Sequence, residues 1–188
     1  DNPTEVKEWI PTGSRWLDSI ICKGRRAGIP VGKVTEIAGL ESTGKSYMAA
    51  QIAANAQKQG KIVVYFDSES AIDPNFLEQA GCDLSSLMYI QASSVEFVLE
   101  TIEELIGATS EKILFIWDSL AFTPAISDVE GDFNPQSSMA MKARILAKGM
   151  SKLVIPIADQ QATLLVLNQL KTNIPQGPNA RIVAMTTP

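Results

Sequence analysis

Histidine is absent from the 188-residue chain, and cysteine occurs twice, at Cys22 and Cys82. The first absence excludes a histidine-based triad and a zinc site. The second excludes a disulfide framework, and the two cysteines lack metal-ligand spacing. Long apolar runs are missing too: "ILFIW" and "TLLVL" are far too short to span a bilayer. The opening "DNPTEVKEWIPTGS" has no basic start followed by an apolar stretch, so no secretory signal is expected. These absences favour a cytoplasmic protein with no membrane partner. Positive charge is also in deficit. Sixteen Lys and Arg stand against 21 Asp and Glu, giving a net charge of −5. That balance disfavours a general nucleic-acid surface, although a local basic stripe would still serve. What is present is enough chain for one sizeable core, 45% hydrophobic and 20% charged, an ordinary globular balance.

Strand-like and helix-like patterns alternate, without internal repeats or low-complexity tracts. Residues 34–38 read as a short apolar strand and 45–59 as an alanine-rich helix, with Gly60 where a C-cap is expected. Residues 62–66, "IVVYF", lack polar alternation, as in a strand buried on both faces. Asp73-Pro74 opens a further helix, with aspartate at the N-cap and proline at N1. Residues 87–90 make a weak strand. In residues 93–106, Ser93 and Glu96 are spaced as a capping box. Val95, Val98, Leu99, Ile102, Leu105 and Ile106 follow at helical spacing. Residues 113–117 and 164–167 are fully apolar strands. A long helix over about 138–158 separates them, with Pro156 expected to kink or stop it. This alternation predicts an α/β fold with a mostly parallel central sheet flanked by helices. Residues 124–137 and 171–188 lack regular pattern, and both follow strand ends, where open parallel sheets bind ligands.

"AGLESTGKSYM" contains Gly39-Leu40-Glu41-Ser42-Thr43-Gly44-Lys45-Ser46, the spacing of a phosphate-binding loop between a strand and a helix. Gly39 and Gly44 let backbone N–H groups turn inward around phosphate oxygens. Lys45 supplies charge to the β- and γ-phosphates, and the Ser46 hydroxyl is placed to ligate Mg²⁺. Glu41, Ser42, Thr43 and Tyr47 complete the candidate nucleotide contacts. Asp118, closing "ILFIWD", is the second magnesium anchor. A water-activating carboxylate is needed as well. Glu69 and Asp67, in "FDSES", compete for that role on spacing alone. Guanine specificity would show Asn-Lys-x-Asp late in the chain. "LNQLK" lacks the lysine at 169 and the aspartate at 171, so adenine, and hence ATP, is favoured.

The order "TGS…LD", "GLESTGKS", "FDSESAIDP", "ILFIWDS", "VEG", "LVLNQ" resembles the bacterial RecA recombinases and their phage-encoded relatives, from about Ile10 to Asn173. The resemblance implies a P-loop NTPase with a RecA-type ATPase core. It makes Glu69 the catalytic glutamate, alongside Lys45. It places Asp73 on the adenine amino group and Phe76 on the ring, where many relatives carry tyrosine. Gln169 would sense the γ-phosphate and relay its presence to the following loop. The two patternless stretches fall where that family binds DNA. After the first comes a helix with Arg144, Lys148 and Lys152 at i, i+4 and i+8, one face with no acid interleaved. The family aligns Met139 with a base contact and Arg144 with a phosphate contact. It aligns Ser151 with a position often basic. In the second stretch lie Lys171, Ile174, matched to an inserting apolar residue, and Arg181.

The resemblance further implies that residues 1–188 are a core fragment, truncated at both ends. An N-terminal oligomerisation helix and C-terminal strands would lie outside it. The implied activity is DNA-dependent, Mg²⁺-requiring ATP hydrolysis. It would drive homologous pairing and strand exchange on single- and double-stranded DNA, within self-associated filaments or rings. The alternatives are another RecA-fold ATPase, such as a helicase-type motor, and an ATP-gated mediator that binds DNA without hydrolysis.

Overall fold

The computed structural model describes residues 5–25, 27–70, 72–130, 135–172 and 185–186. Its centre is a five-stranded sheet of β3 (Val34–Gly39), β4 (Ile62–Asp67), β5 (Leu87–Gln91), β6 (Ile113–Asp118) and β7 (Thr163–Gln169). Their order is β3-β7-β6-β4-β5, and every pairing in that sheet is parallel. The apolar runs of β4, β6 and β7 occupy its middle. Their side chains are nearly all buried, as both-face coverage requires. The outer strands β3 and β5 alternate or lie open because each has a neighbour on one side only.

Helices cover both faces. On one, α2 (Lys45–Lys58) lays Ala49, Ala50, Ile52, Ala53 and Ala56 against Val63, Tyr65, Leu114 and Leu165. The small side chains let the helix backbone approach closely. On the other, α4 (Val95–Ala108) and α6 (Pro135–Gln160) bury Val98, Ile102, Leu153 and Ile157 over Phe66, Phe115 and Trp117. α3 (Pro74–Gln79) starts at the expected cap, with Asp73 accepting from the Asn75 N–H.

Several expectations shift. The cap of α4 is Ser94, not Ser93: its hydroxyl accepts from the Phe97 N–H. Glu96 makes no capping box and instead accepts from the Ile126 N–H, 3.0 Å away. α6 runs through Pro156 to Gln160. The ladder bond that proline forfeits is outweighed by burial of Leu153 and Ile157 on either side of it. The first patternless stretch contains α5 (Ile126–Glu130) and the start of α6. The second begins with β8 (Lys171–Thr172), paired antiparallel to β9 (Met185–Thr186).

The N-terminal region, unread in the sequence, holds β1 (Trp9–Ile10), α1 (Arg15–Ile21) and β2 (Ile29–Pro30). β1 and β2 pair antiparallel. "TGS…LD" is a local brace: Ser14 caps α1, and buried Asp18 accepts from the Thr12 hydroxyl at 2.6 Å and its N–H at 3.0 Å. Among the described residues no helix is long and apolar enough to cross a membrane.

Candidate functional site

Strand register assembles the site. β4 and β6 end level, so Asp67 and Asp118 stand side by side. β3 and β7 end level too, which sets Gly39 beside Gln169. The chain then turns into the glycine loop, with Ser42 at φ 57° and Gly44 at φ 90°. Gly44 caps α2 without any side-chain cap bond, leaving that helix's first N–H groups for another acceptor. A Cβ on Gly39 would stand 3.0 Å from Thr43 Oγ1, so a larger residue there would push that side chain aside. The Thr43 hydroxyl donates to the Leu40 carbonyl at 2.8 Å. Lys45 Nζ donates to the carbonyls of Leu40 and Gly39, at 2.6 and 3.1 Å. The Leu170 N–H also reaches the Gly39 carbonyl, at 3.0 Å, so the loop and the end of β7 share an atom.

Ser46 Oγ donates to Asp118 Oδ2 at 2.7 Å, joining two motifs 72 residues apart. The buried Tyr65 hydroxyl donates to the same oxygen at 2.8 Å. Burial pushes the Asp118 carboxyl up, and the Ser46 and Tyr65 hydrogen bonds only partly offset it. Burial and the charge of Asp118 hold the Tyr65 phenol well above its ordinary value. Glu69 is exposed at the rim. Its carboxyl is also pushed up, by desolvation and then by Asp118, Asp67 and Glu41. Asp67 has a different task. It is buried and accepts from the N–H groups of Glu69, Ser70 and Ile72, and from the Tyr89 hydroxyl at 2.6 Å. Those bonds shape the turn that carries Glu69.

These groups border a cleft of about 440 Å³ that runs from Glu41–Tyr47 of the loop to Glu69, Asp118 and Gln169. An adjoining cleft of about 280 Å³ shares Ser46, Glu69, Phe76 and Asp118 with it and adds Asp73. The Phe76 and Tyr47 rings meet edge to face, centroids 5.8 Å apart, and Phe76 also packs on the core. Every nucleotide-site residue expected from the sequence therefore borders one or the other of these two clefts, apart from Gly39 beneath the loop. The sequence reading missed Ser119 and Phe122 in the same wall. It also missed Tyr65 and Tyr89. Tyr65 within an apolar run was the available signal, since a buried phenol needs a partner.

Arg144, Lys148 and Lys152 all lie exposed on α6. The expectation of a face free of acid is corrected at one end: Glu103 of α4 pairs with Lys152 at 2.7 Å. Among the described residues, no carboxylate pairs with Arg144 or Lys148. Lys171 is exposed at the start of β8. Met139 lies on α6 with its side chain outside what is described, and Ile174 and Arg181 fall outside the described residues.

Residues 1–177 match the family model of the RecA N-terminal domain. A "Protein RecA" from Bifidobacterium breve is 34% identical over 174 residues, 93% of this chain and 43% of that protein. Its counterpart in Arthrobacter sp. (strain FB24) is 36% identical over 172 residues, 92% of this chain and 47% of that protein. That of Colwellia psychrerythraea is 33% identical over 174 residues, covering 93% and 49%. The chain thus spans about half the length of these curated relatives. With its parallel sheet flanked by helices, a RecA-type α/β core, the chain belongs to the RecA family.

Proposed function

We propose that this chain is the nucleotide-binding core of an ATP-dependent DNA recombinase. It would bind single-stranded DNA as a filament, pair it with a duplex and hydrolyse ATP when DNA is bound. The observation that carries the reading is the Ser46–Asp118 contact, which joins the glycine loop to the end of β6. Two oxygen donors of this kind suit Mg²⁺, which takes one or two protein oxygens beside phosphate and water. Ser46 and Asp118 would hold the ion, and its charge would offset the negative charge that develops on the phosphates.

The chain's own residues supply the rest. The loop N–H groups and the α2 N-terminus cradle phosphates. Lys45, at the loop rim, adds a point charge. Glu69 is the general base that takes the proton of the attacking water, a role its raised pKa suits. Asp67, engaged by three backbone N–H groups and the Tyr89 hydroxyl, holds Glu69 in place. Phe76 and Tyr47 receive the adenine ring, and Asp73 its amino group. Gln169, bonded through Leu170 to the loop, couples phosphate occupancy to the segment after β7. Arg144 and Lys148 contact DNA phosphates, with Lys171 beyond the sheet edge and Lys152 weakened by Glu103. Met139, Ile174 and Arg181 complete the proposed DNA contacts. Filament formation, a cytoplasmic setting and strands beyond this core belong to the same reading.

ATP hydrolysis by the full-length protein, with and without single-stranded DNA, tests this beside Glu69→Gln. Stimulation by DNA is expected. The variant should lose about 10²–10⁴-fold in turnover, the usual share of a general base, while still binding ATP. Turnover indifferent to DNA would favour a RecA-fold motor of another kind. Binding without hydrolysis in the unmutated protein would favour an ATP-gated mediator.

A further inference from the structure

Between Asp118 and α5 the chain makes a tight turn, residues 119–122, that faces two ways. Toward the cleft it presents Ser119, 4% exposed. The backbone of Ser119 is fully engaged. Its N–H donates to Ser68 Oγ at 2.9 Å, and its carbonyl accepts from Ser68 Oγ at 3.1 Å and Thr123 Oγ1 at 2.9 Å. Trp117 Nε1 in turn donates to Thr123 Oγ1 at 2.8 Å, so the turn is stapled to its strand. Yet Ser119 Oγ itself has no hydrogen-bond partner among the described residues. Buried hydroxyls are rarely left unpaired, and one in a cleft wall beside Glu69 and Gln169 is placed for a ligand.

The other side of the turn meets α6. Lys142 Nζ donates to the carbonyls of Leu120, at 2.9 Å, and Ala121, at 3.3 Å. Two residues along a helix is about 200° of rotation, so Lys142 points away from the exposed Arg144. Burial lowers the Lys142 pKa, Asp128 opposes the shift and Lys171 adds to it. A lysine half-withdrawn from water is held by those two carbonyls.

We propose that residues 119–122 relay between α6 and the nucleotide cleft. Ser119 Oγ is a hydrogen-bonding contact for the phosphate end of the nucleotide, and Lys142 is the positioning residue that fixes the turn from the α6 side. The relay rests on the reading above, in which the cleft holds ATP and α6 holds DNA.

The full-length protein tests it through Ser119→Ala, Lys142→Met, Lys142→Arg and the Ser119→Ala/Lys142→Met double variant. Without DNA, Ser119→Ala should melt at or above the unmutated temperature, since no protein partner is lost. Its affinity for a slowly hydrolysed ATP analogue should fall about tenfold, the worth of a hydrogen bond to a charged group. Lys142→Met should lower the factor by which single-stranded DNA stimulates hydrolysis about tenfold, a typical coupling between sites. Its DNA affinity should persist, and Lys142→Arg should restore most of the stimulation. The double variant should be stimulated no less than the worse single one, because both act in one path. A Ser119→Ala protein that melts lower and binds the analogue normally overturns the contact. Normal stimulation in Lys142→Met, or additive losses in the double variant, overturns the relay. If the unmutated protein binds the analogue but ignores DNA, the recombinase reading falls and the relay with it. The Ser119 contact is still decided by the DNA-free measurements.

Discussion

The two ends of β4 and β6 carry opposite electrostatics. At their amino ends, Lys61 precedes β4 and Lys112 precedes β6. Both donate to Glu8 of the N-terminal segment, Lys112 at 2.6 Å. Burial alone would raise the Glu8 pKa, but the two ammonium groups more than reverse it. At their carboxyl ends, Asp67 and Asp118 stand side by side, with Glu69 near. Among the described residues no salt bridge reaches any of the three. Neutral hydroxyls and backbone N–H groups serve instead, and the Glu69 and Asp118 carboxyls are raised. At the amino end every named charge has a partner, two ammonium groups sharing one carboxylate. The carboxyl end keeps negative charge that Lys45 offsets only in part and that a bound cation would relieve. One sheet thus separates a stabilising end from a working end.

Asp118→Asn breaks the working end most severely. Turnover should fall by about 10²–10³-fold, the effect of deleting one preorganised electrostatic contact. The melting temperature without nucleotide should rise, because a buried carboxylate has been replaced by a neutral isostere that still accepts from Ser46 and Tyr65. The sign also predicts pH behaviour. A carboxyl raised in the folded state contributes most at low pH, and that contribution is lost as pH climbs through its folded pKa. The stability gain of Asp118→Asn over the unmutated protein should therefore grow from acid toward neutral pH. Paired melting and turnover curves measure this. An Asp118→Asn variant that melts lower at neutral pH would show that the charge is stabilising, and the contrast between the two ends would collapse.

Glu8→Gln tests the other end. Lys61 would keep its buried ammonium, its side chain 2% exposed, with Gln59 still accepting at 2.9 Å. The loss of stability should be about 2–3 kcal/mol, below the full effect of stranding a buried charge. Because the Glu8 pKa is lowered, its contribution is present above the ordinary glutamate value of about 4.3 and disappears as pH falls through the folded pKa. Denaturant unfolding of both proteins should converge in acid and diverge toward neutrality, while turnover per folded molecule stays unchanged. A large loss of turnover would tie the amino end to the chemistry and undo the separation.

The working end was far more legible in the sequence than the amino end. Gly39–Ser46, Asp118 and Glu69 sit in short motifs beside unbroken apolar strands, and parallel pairing brings strand ends together without further information. Three of the five sheet strands, β4, β6 and β7, stood out as apolar runs without polar alternation, while β5 registered only weakly. Glu8, Lys61 and Lys112 carry no motif, and their meeting depends on how the N-terminal segment crosses the sheet. β1 and β2 are two residues each and α5 is five, too short for any period to register. Glu103 reaches Lys152 across 49 positions, which no inspection of α6 alone reveals. Asp67 and Glu69 were indistinguishable by spacing. What separates them is whose oxygens the surrounding N–H groups occupy.

The smallest expected effect sharpens that last distinction. Tyr89 stands on the edge strand β5 and donates to Asp67 Oδ2 at 2.6 Å. Tyr89→Phe removes that bond. Asp67 Oδ1 still accepts from the Glu69 and Ser70 N–H groups, at 2.9 and 3.1 Å, so the turn keeps its main ties. Stability should drop by about 1 kcal/mol, the net worth of one hydrogen bond with a half-exposed partner. Turnover should fall by only a few-fold, and ATP affinity should hold, since Tyr89 borders neither of the two clefts proposed to take the nucleotide. Burial and then Asp67 push the phenol up to about 12. The ratio of unmutated to variant turnover should therefore stay flat from neutrality to about pH 10, where an ordinary tyrosine ionises. A ratio that bends below that pH, or a loss rivalling Asp118→Asn, would mean that the hydroxyl takes part in the chemistry rather than steadying Asp67. The working end would then reach out to the sheet's exposed edge.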